Sequence, residues 1–229
     1  MIKYLSGILF KIKQAVVTCI LLAWSILTEA NPLVFNILDY RAKGDGVTLN
    51  TKSIQAAIDA CSKSGGGTVL FPAGRYVSGT IYLKSHVTLF LEAGAVLEGS
   101  KNLKDYPVTI SKVRSYTDNY TNKSLIYGEG LENIAITGHG TLDGNGAAFK
   151  VPDDLMEKDL SASYKMRPFM IRIINCRDVL IRDVTIVNSP MWVQHYLLCE
   201  DVIIDGITVN SRVNHNNDGI DIDGCTRVR

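Results

Sequence analysis

The sequence lacks an excess of charge of either sign. Its 229 residues contain 24 Lys and Arg against 23 Asp and Glu, a formal net charge of +1. Without residues 1–30, which contain Lys3, Lys11, Lys13 and Glu29, 21 basic and 22 acidic groups remain. No basic block is left to attract a phosphate backbone, so nucleic-acid binding has no electrostatic support.

The sequence also lacks the Cys and His spacing of a zinc site, and we expect no cofactor. Its N-terminal apolar run, Ala15–Leu27, is shorter than the ~20 residues of a membrane-spanning helix. Lysines precede this run, and Thr28–Ala30 follows it with small residues at the −3 and −1 positions. This order predicts a secretory signal over residues 1–30 and a secreted or periplasmic protein. A retained N-terminal anchor is the alternative, so no stable membrane partner is expected beyond an uncleaved signal.

Glycine is plentiful (19) and proline scarce (6), which together with Val- and Ile-rich runs indicates many strands and turns. Residues Phe35–Tyr40 are predicted to form a strand. One helix is predicted over Thr51–Ser62, N-capped by Asn50 and ended by Gly65–Gly67. Its apolar residues share one face: Ile54, Ala57, Ile58 and Cys61. One helix followed by short strands argues against a doubly wound sheet.

An internal repeat predicts the fold. Val179, Val202 and Val228 occupy equivalent positions in three similar segments, with spacings of 23 and 26 residues. Strand-rich units of this length without helices predict an all-β, right-handed parallel β-helix (a single-stranded solenoid) over residues 31–229, with the helix capping its N-terminal end. A β-sandwich is the alternative, but it does not explain why like residues recur at one phase.

Three cysteines also recur at one phase: Cys176, Cys199 and Cys225 each precede an equivalent valine by three residues. Because stacked coils lie about 4.8 Å apart, these cysteines should form an interior column. We expect them to be buried and reduced. A disulfide between neighbours in an oxidising compartment is the alternative.

The strongest chemical signal is an acidic stretch near the C-terminal end. Asp218, Asp221 and Asp223 fall within six residues, and Ile220 and Ile222 alternate with the last two. A strand here would point isoleucines to one side and aspartates to the other. His215, Asn216 and Asn217 come immediately before. A polar loop in which Asp218 only holds backbone N–H groups is the alternative.

Several motifs resemble those of the pectin-degrading β-helix enzymes: Phe35–Gly46, Gly65–Tyr76, Gly138–Gly146 and Ser189–Trp192. Residues 216–221, Asn-Asn-Asp-Gly-Ile-Asp, resemble the first catalytic motif of the polygalacturonases, glycoside hydrolase family 28. Two residues depart from the family pattern: Arg41 stands where glycine is usual, and Asn217 stands where threonine is commonest. The resemblance implies a secreted hydrolase that cleaves galacturonosyl linkages of pectic polysaccharide with inversion. The full-length enzyme is expected to be a monomer.

The family's later motifs (Gly-Asp-Asp, Gly-His-Gly and Arg-Ile-Lys) do not follow Asp218. We therefore expect these residues to form a C-terminally incomplete β-helix that is inactive alone. Gly138–Gly140 imitates the second motif, but it lies upstream, so His139 is interpreted as part of a structural turn.

The resemblance places Asp218 on the water-activating side of an inverting reaction, with the acid on the next coil. Register counting places Trp192 to His195 beneath Asp218, with no carboxylate among them. Asp221 is the one close acidic partner, able to hold or orient water, so the catalytic candidates are Asp218 and Asp221. The substrate-binding candidates are Trp192, His195, His215 and Asn216, and no metal ligand is expected. Packing is an equally good role for Trp192, and structural roles are the safer interpretation of both histidines.

Two other functions stay open. A different β-helix enzyme acting on pectate or rhamnogalacturonan, such as a lyase, would use calcium and a basic residue. A non-catalytic β-helix would bind polysaccharide or serve structurally, as adhesins do. In every case the long excursion Asp143–Arg167 is expected to wall the binding face.

Overall fold

Parallel strands wound into stacked coils make up the protein, described here by a computed structural model that covers residues 33–113 and 122–229. The signal predicted over residues 1–30 lies outside the described residues. The chain visits three sheets in turn, so each strand pairs with the equivalent strands of the coils before and after it. This topology is the predicted right-handed parallel β-helix.

The three sheets contain strands β1 to β18, numbered along the chain. Sheet A consists of β1 (Val34–Asn36), β3 (Gly67–Phe71), β6 (Val87–Leu91), β9 (Glu132–Gly138), β12 (Arg177–Arg182), β15 (Glu200–Asp205) and β18 (Thr226–Val228). Sheet B consists of β2 (Asp45–Leu49), β4 (Gly74–Ser78), β7 (Ala95–Gly99), β10 (Thr141–Asp143), β13 (Thr185–Val187) and β16 (Thr208–Asn210). Sheet C consists of β5 (Ile81–Tyr82), β8 (Ser124–Glu129), β11 (Phe169–Ile174), β14 (Gln194–Leu197) and β17 (Asp221–Asp223).

The repeat found in the sequence is the pairing register of sheet A. Val179 pairs with Val202, and Val202 with Val228. The first two are buried, while Val228 on the last described coil is 36% exposed. Burial of one such side chain stabilises the fold by about 1.5–3 kcal/mol, which is why apolar residues recur at this position on every coil.

Left-handed backbone recurs at equivalent positions near the start of three sheet A strands, β12, β15 and β18. The residue directly before each inward valine has a positive φ: Asp178 (55°), Asp201 (56°) and Arg227 (55°). Short polar residues such as Asp and Asn tolerate this conformation better than most side chains. This backbone conformation therefore repeats with the same period as the core.

Helix α1 (Thr51–Lys63) buries the predicted face of Ile54, Ala57, Ile58 and Cys61. It contacts strands β1, β3, β5 and β6. Its role as a cap over the end of the core stays a prediction. Within the described ranges, no helix is long and apolar enough to cross a membrane.

The prediction that the Asn50 side chain caps this helix is wrong, although Asn50 does occupy the N-cap position. The amide instead accepts a hydrogen bond from Lys43 N (2.7 Å) and donates to Lys43 O (3.0 Å) and Thr48 O (2.7 Å). Asn50 is 1% exposed. A buried amide must satisfy its donors and acceptor locally, and the loop before the helix offers the nearest backbone groups.

The strand predicted over Phe35–Tyr40 is also only partly present. Strand β1 ends at Asn36, and Ile37–Tyr40 form a 3-10 turn. The Asn36 side chain accepts a hydrogen bond from Leu38 N, and Arg41 ends the turn with φ 70°. The local Asx cap thus competes with strand pairing and prevails.

The cysteine column exists, and Cys176, Cys199 and Cys225 are free thiols. Cys176 and Cys199 are buried as predicted, whereas Cys225 is half-buried. Sulfur atoms accept backbone hydrogen bonds from the coil before: Leu131 N to Cys176 Sγ (3.4 Å) and Cys199 N to Cys225 Sγ (3.2 Å). The repeated thiol therefore satisfies a corner N–H that strand pairing leaves free.

Candidate functional site

The acidic stretch begins on the loop between β16 and β17, where Asp218 lies, and continues into β17 with Asp221 and Asp223. A buried arginine holds this loop in place. Arg167 Nη1 donates to His215 O (2.8 Å), and its Nη2 donates to Asn216 Oδ1 (3.1 Å). Arg167 is 1% exposed, its guanidinium lies over the Tyr164 ring, and burial lowers its pKa. Asn216 has φ 58°, a conformation that the short amide side chain tolerates. Asn216 thus positions the loop through Arg167.

Asn217 fastens the same loop to the coil beneath it. Its Nδ2 donates to Ser189 O and Met191 O, both at 3.0 Å, and its Oδ1 accepts from Asn214 N at 3.2 Å. Its departure from the commoner threonine therefore has a structural use. Val193 N donates to Asp218 O (2.9 Å), so Asp218 does lie over the segment that register counting predicted.

Asp218 and Asp221 are carboxyl groups in different environments. Asp218 is exposed, whereas Asp221 is partly buried at the start of β17. Burial, and then the negative charge of Asp218, raise the pKa of Asp221 to about 6. Asp221 Oδ2 is buried and has no hydrogen-bond partner among the described residues. Two neighbouring acids, one exposed and one that keeps its proton up to about pH 6, are the kind of pair that divides acid and base roles.

His195 lies directly beneath Asp221 in the strand register. Its side chain is 4% exposed, its Nε2 is 3.8 Å from Asp223 Oδ2, and its ring stacks on Phe169 at 5.5 Å. The structure thus brings His195, Asp221 and Asp223 together. Because His195 is nearly enclosed, its geometry favours a structural role beside Asp221 and Asp223 over direct contact with substrate.

Trp192 is half-buried in an aromatic cluster. Its ring lies 5.5 Å from the Tyr164 ring and 5.2 Å from the Phe169 ring. Packing, one of the two roles considered for Trp192, is therefore observed. Binding of a sugar to the exposed remainder stays a prediction.

His215 is directed toward the excursion that follows β10. This excursion contains helices α2 (Asp153–Lys158) and α3 (Leu160–Lys165). His215 is exposed, and its Nε2 is 3.5 Å from Asp153 Oδ1. Between them opens a cleft of about 680 Å³, here named the basic cleft, lined by Lys150, Val151, Pro152, Asp153, Arg212, Val213, Asn214 and His215. The excursion therefore does wall a concave surface beside the loop.

Sequence reasoning missed two arginines. Arg167 carried no local signal, because its partners lie 48 and 49 residues further along the chain. Arg172 had a signal, since it precedes His195 by 23 residues, the spacing of Val179 and Val202. The structure places Tyr127, Arg172, His195 and Asp221 in one row across sheet C.

His139 lies away from this row. It is exposed at the corner between β9 and β10, which belong to sheets A and B. A Cβ on the preceding Gly138 (φ 108°) would lie 2.1 Å from Leu91 O, so glycine is required there. His139 therefore accompanies a turn, as interpreted from the sequence. No group of three or more His, Cys, Asp or Glu suited to a metal ion occurs in the part of the chain described.

Comparison with known proteins places this geometry in context. The profile of the family described as "Glycosyl hydrolases family 28" matches residues 61–229. A curated Vitis vinifera protein, "Probable polygalacturonase", is 37% identical over 207 residues, which are 85% of this chain and 40% of the relative. The Dickeya chrysanthemi "Exo-poly-alpha-D-galacturonosidase" is 45% identical over 127 residues, 52% of this chain and 21% of the relative.

A solved structure is similar as well. The Yersinia enterocolitica family 28 exopolygalacturonase superposes with a TM-score of 0.72 at 30% identity, covering 88% of this chain and 43% of the other. The chain thus spans less than half the length of these three relatives.

Proposed function

This chain belongs to glycosyl hydrolases family 28, and on that premise we propose that it takes part in hydrolysis of galacturonosyl linkages in pectic polysaccharide. The names of its relatives, a polygalacturonase and a galacturonosidase, support this substrate class. The observation that carries the proposal is the pair of Asp218, on the loop that Arg167 and Asn217 hold in place, and Asp221, at the start of the strand that follows it.

In the proposed mechanism Asp218 accepts the proton of the attacking water. Its carboxylate is exposed and so reaches solvent and substrate. Asp221 holds a proton up to about pH 6. It orients the water, or it donates that proton to the leaving glycosidic oxygen as the bond between this oxygen and the anomeric carbon breaks. General acid–base assistance is worth about 10²–10⁴-fold per group. We further propose an inverting reaction, in which water attacks the face opposite the leaving group.

The test is release of reducing sugar from polygalacturonate by the protein expressed from its complete gene. Asp218→Asn should lower kcat by at least about 100-fold. Asp205→Asn is the matched control, because Asp205 is an exposed carboxylate on sheet A. Its ion-pair partner, Arg182, is on the same sheet. Full activity of Asp218→Asn would refute the assignment.

Two further measurements separate the reaction classes. The anomer formed first, read by NMR, should be inverted. Activity should persist with a chelator and generate no unsaturated, ultraviolet-absorbing sugar, because a calcium-dependent lyase would fail on both counts.

We propose that the protein is secreted or periplasmic, which the signal pattern of residues 1–30 supports. N-terminal sequencing of the exported protein should then begin near Asn31. A mature protein that keeps Met1 would contradict cleavage.

A further inference from the structure

We infer that the basic cleft binds the carboxylate of an additional galacturonate unit, through Lys150 and Arg212. This inference rests on the proposed function, whose substrate carries one carboxylate per sugar. It assigns a binding role to Lys150, on the excursion, and to Arg212, near the start of the loop that carries Asp218. Neither residue belongs to the row on sheet C.

The charges of the cleft favour an anion. Lys150 and Arg212 are both exposed, and neither has an ion-pair partner within residues 33–113 and 122–229. The one acid in the lining, Asp153, is already 3.5 Å from His215 Nε2. A concave surface lined by two cations and one carboxylate carries a net positive charge, which favours a bound carboxylate.

The cleft is held open by hydrogen bonds between its two walls. Asn214 Nδ2 donates to Gly146 O (2.7 Å), which joins the loop to the start of the excursion. Asn214 N also donates to Asn217 Oδ1 (3.2 Å), a bond within the loop between β16 and β17 that fixes the position of Asn214. A site that is already formed loses little conformational freedom when a ligand binds.

The cleft lies close enough to the proposed catalytic residues to serve the same polymer. His215 precedes Asp218 by three residues, and three residues of extended chain span at most about 11 Å. A polysaccharide bound with one linkage at Asp218 can therefore place a neighbouring unit in the cleft. Guanidinium and ammonium groups are suited to the two oxygens of its carboxylate.

Binding of trigalacturonate tests the inference independently of turnover. The protein from the complete gene is used in an Asp218→Asn background, and Kd is measured by calorimetry. Lys150→Gln and Arg212→Gln should each weaken binding by up to about 5-fold, and the double variant by up to about 25-fold. Methyl-esterified trigalacturonate, which lacks the charges, should bind all variants alike, and added salt should weaken binding less in the double variant.

Lys158→Gln is the matched control. Lys158 is on the same excursion, is 75% exposed and lies 3.4 Å from Asp154, outside the cleft. Its substitution removes the same charge and should leave Kd unchanged. An equal loss in Lys158→Gln would overturn the inference, because it would show a general charge effect.

The outcomes also separate this inference from the proposed function. If the protein hydrolyses polygalacturonate but the double variant has an unchanged Kd, the inference about the cleft is wrong and the proposed function still holds. If binding depends on these charges but the protein does not hydrolyse polygalacturonate, the inference about the cleft is supported and the proposed hydrolytic function is contradicted. Absence of any trigalacturonate binding overturns the cleft.

Discussion

Replacing Asp221 with asparagine should make the protein more stable at neutral pH. Burial and Asp218 raise the pKa of Asp221 from its usual 3.8 to about 6. The folded protein therefore binds this proton more tightly than the unfolded chain, and the free energy of unfolding falls as the pH rises from about 4 to 6. Above that range the charged carboxylate destabilises the fold, and a neutral amide would not.

The size of this effect follows from the same values. One pKa unit corresponds to about 1.4 kcal/mol, so the full rise corresponds to about 3 kcal/mol at most. Asp221 is only partly buried, so solvent screening reduces the expected gain to about 1–2 kcal/mol. Since burial is the larger cause, Asp218→Asn should lower the pKa of Asp221 only part of the way toward 3.8.

Urea unfolding at about pH 4 and about pH 8 measures the effect. Asp221→Asn should gain stability relative to the unsubstituted protein at the higher pH and much less at the lower one, while its kcat falls. Asp205→Asn is the control. Because the carboxylate of Asp205 is exposed, this substitution should give no gain in stability at the higher pH relative to the lower one. Equal effects of Asp221→Asn at both pH values, or a loss at the higher one, would refute the assignment of Asp221 as a desolvated acid.

Three other substitutions follow from the structure. Arg167→Met should lower the free energy of unfolding by about 2–4 kcal/mol and lower kcat, because it leaves partly buried acceptors on the loop without their charged donor. Arg167→Lys should recover part of both losses in urea unfolding and rate measurements. An unchanged kcat in Arg167→Met would contradict the positioning role. Arg41→Gly should raise the free energy of unfolding by about 0.5–1 kcal/mol, because φ 70° strains a side chain but not glycine; a lower urea midpoint would argue against strain. Thiol titration of the denatured, unreduced protein should find Cys176, Cys199 and Cys225 as free thiols. A count lower by two thiols than expected would indicate a disulfide.

Local sequence was sufficient for the repeating part of this protein. The spacing from Val179 to Val202 to Val228 predicted the pairing of sheet A, because every coil must place an apolar residue at the same inward position. The face of helix α1 was predictable for the same reason, since Ile54 and Ile58 follow helical periodicity. Family membership followed from motifs that keep their order along the chain.

The tertiary structure decided what each polar group contacts. The Asn50 side chain hydrogen-bonds to the loop before helix α1, and Arg167 hydrogen-bonds to backbone and side-chain oxygens almost fifty residues away. A buried polar group must bind whichever partners the fold brings near it. The pKa of Asp221 likewise depends on how far the neighbouring chain excludes water from its carboxyl group. The basic cleft is formed by segments that meet only in space, from residues 150–153 and 212–215. Periodicity along one chain sets which side of a strand a residue occupies, but solvent exclusion and long-range hydrogen bonds depend on the other coils and loops that surround it.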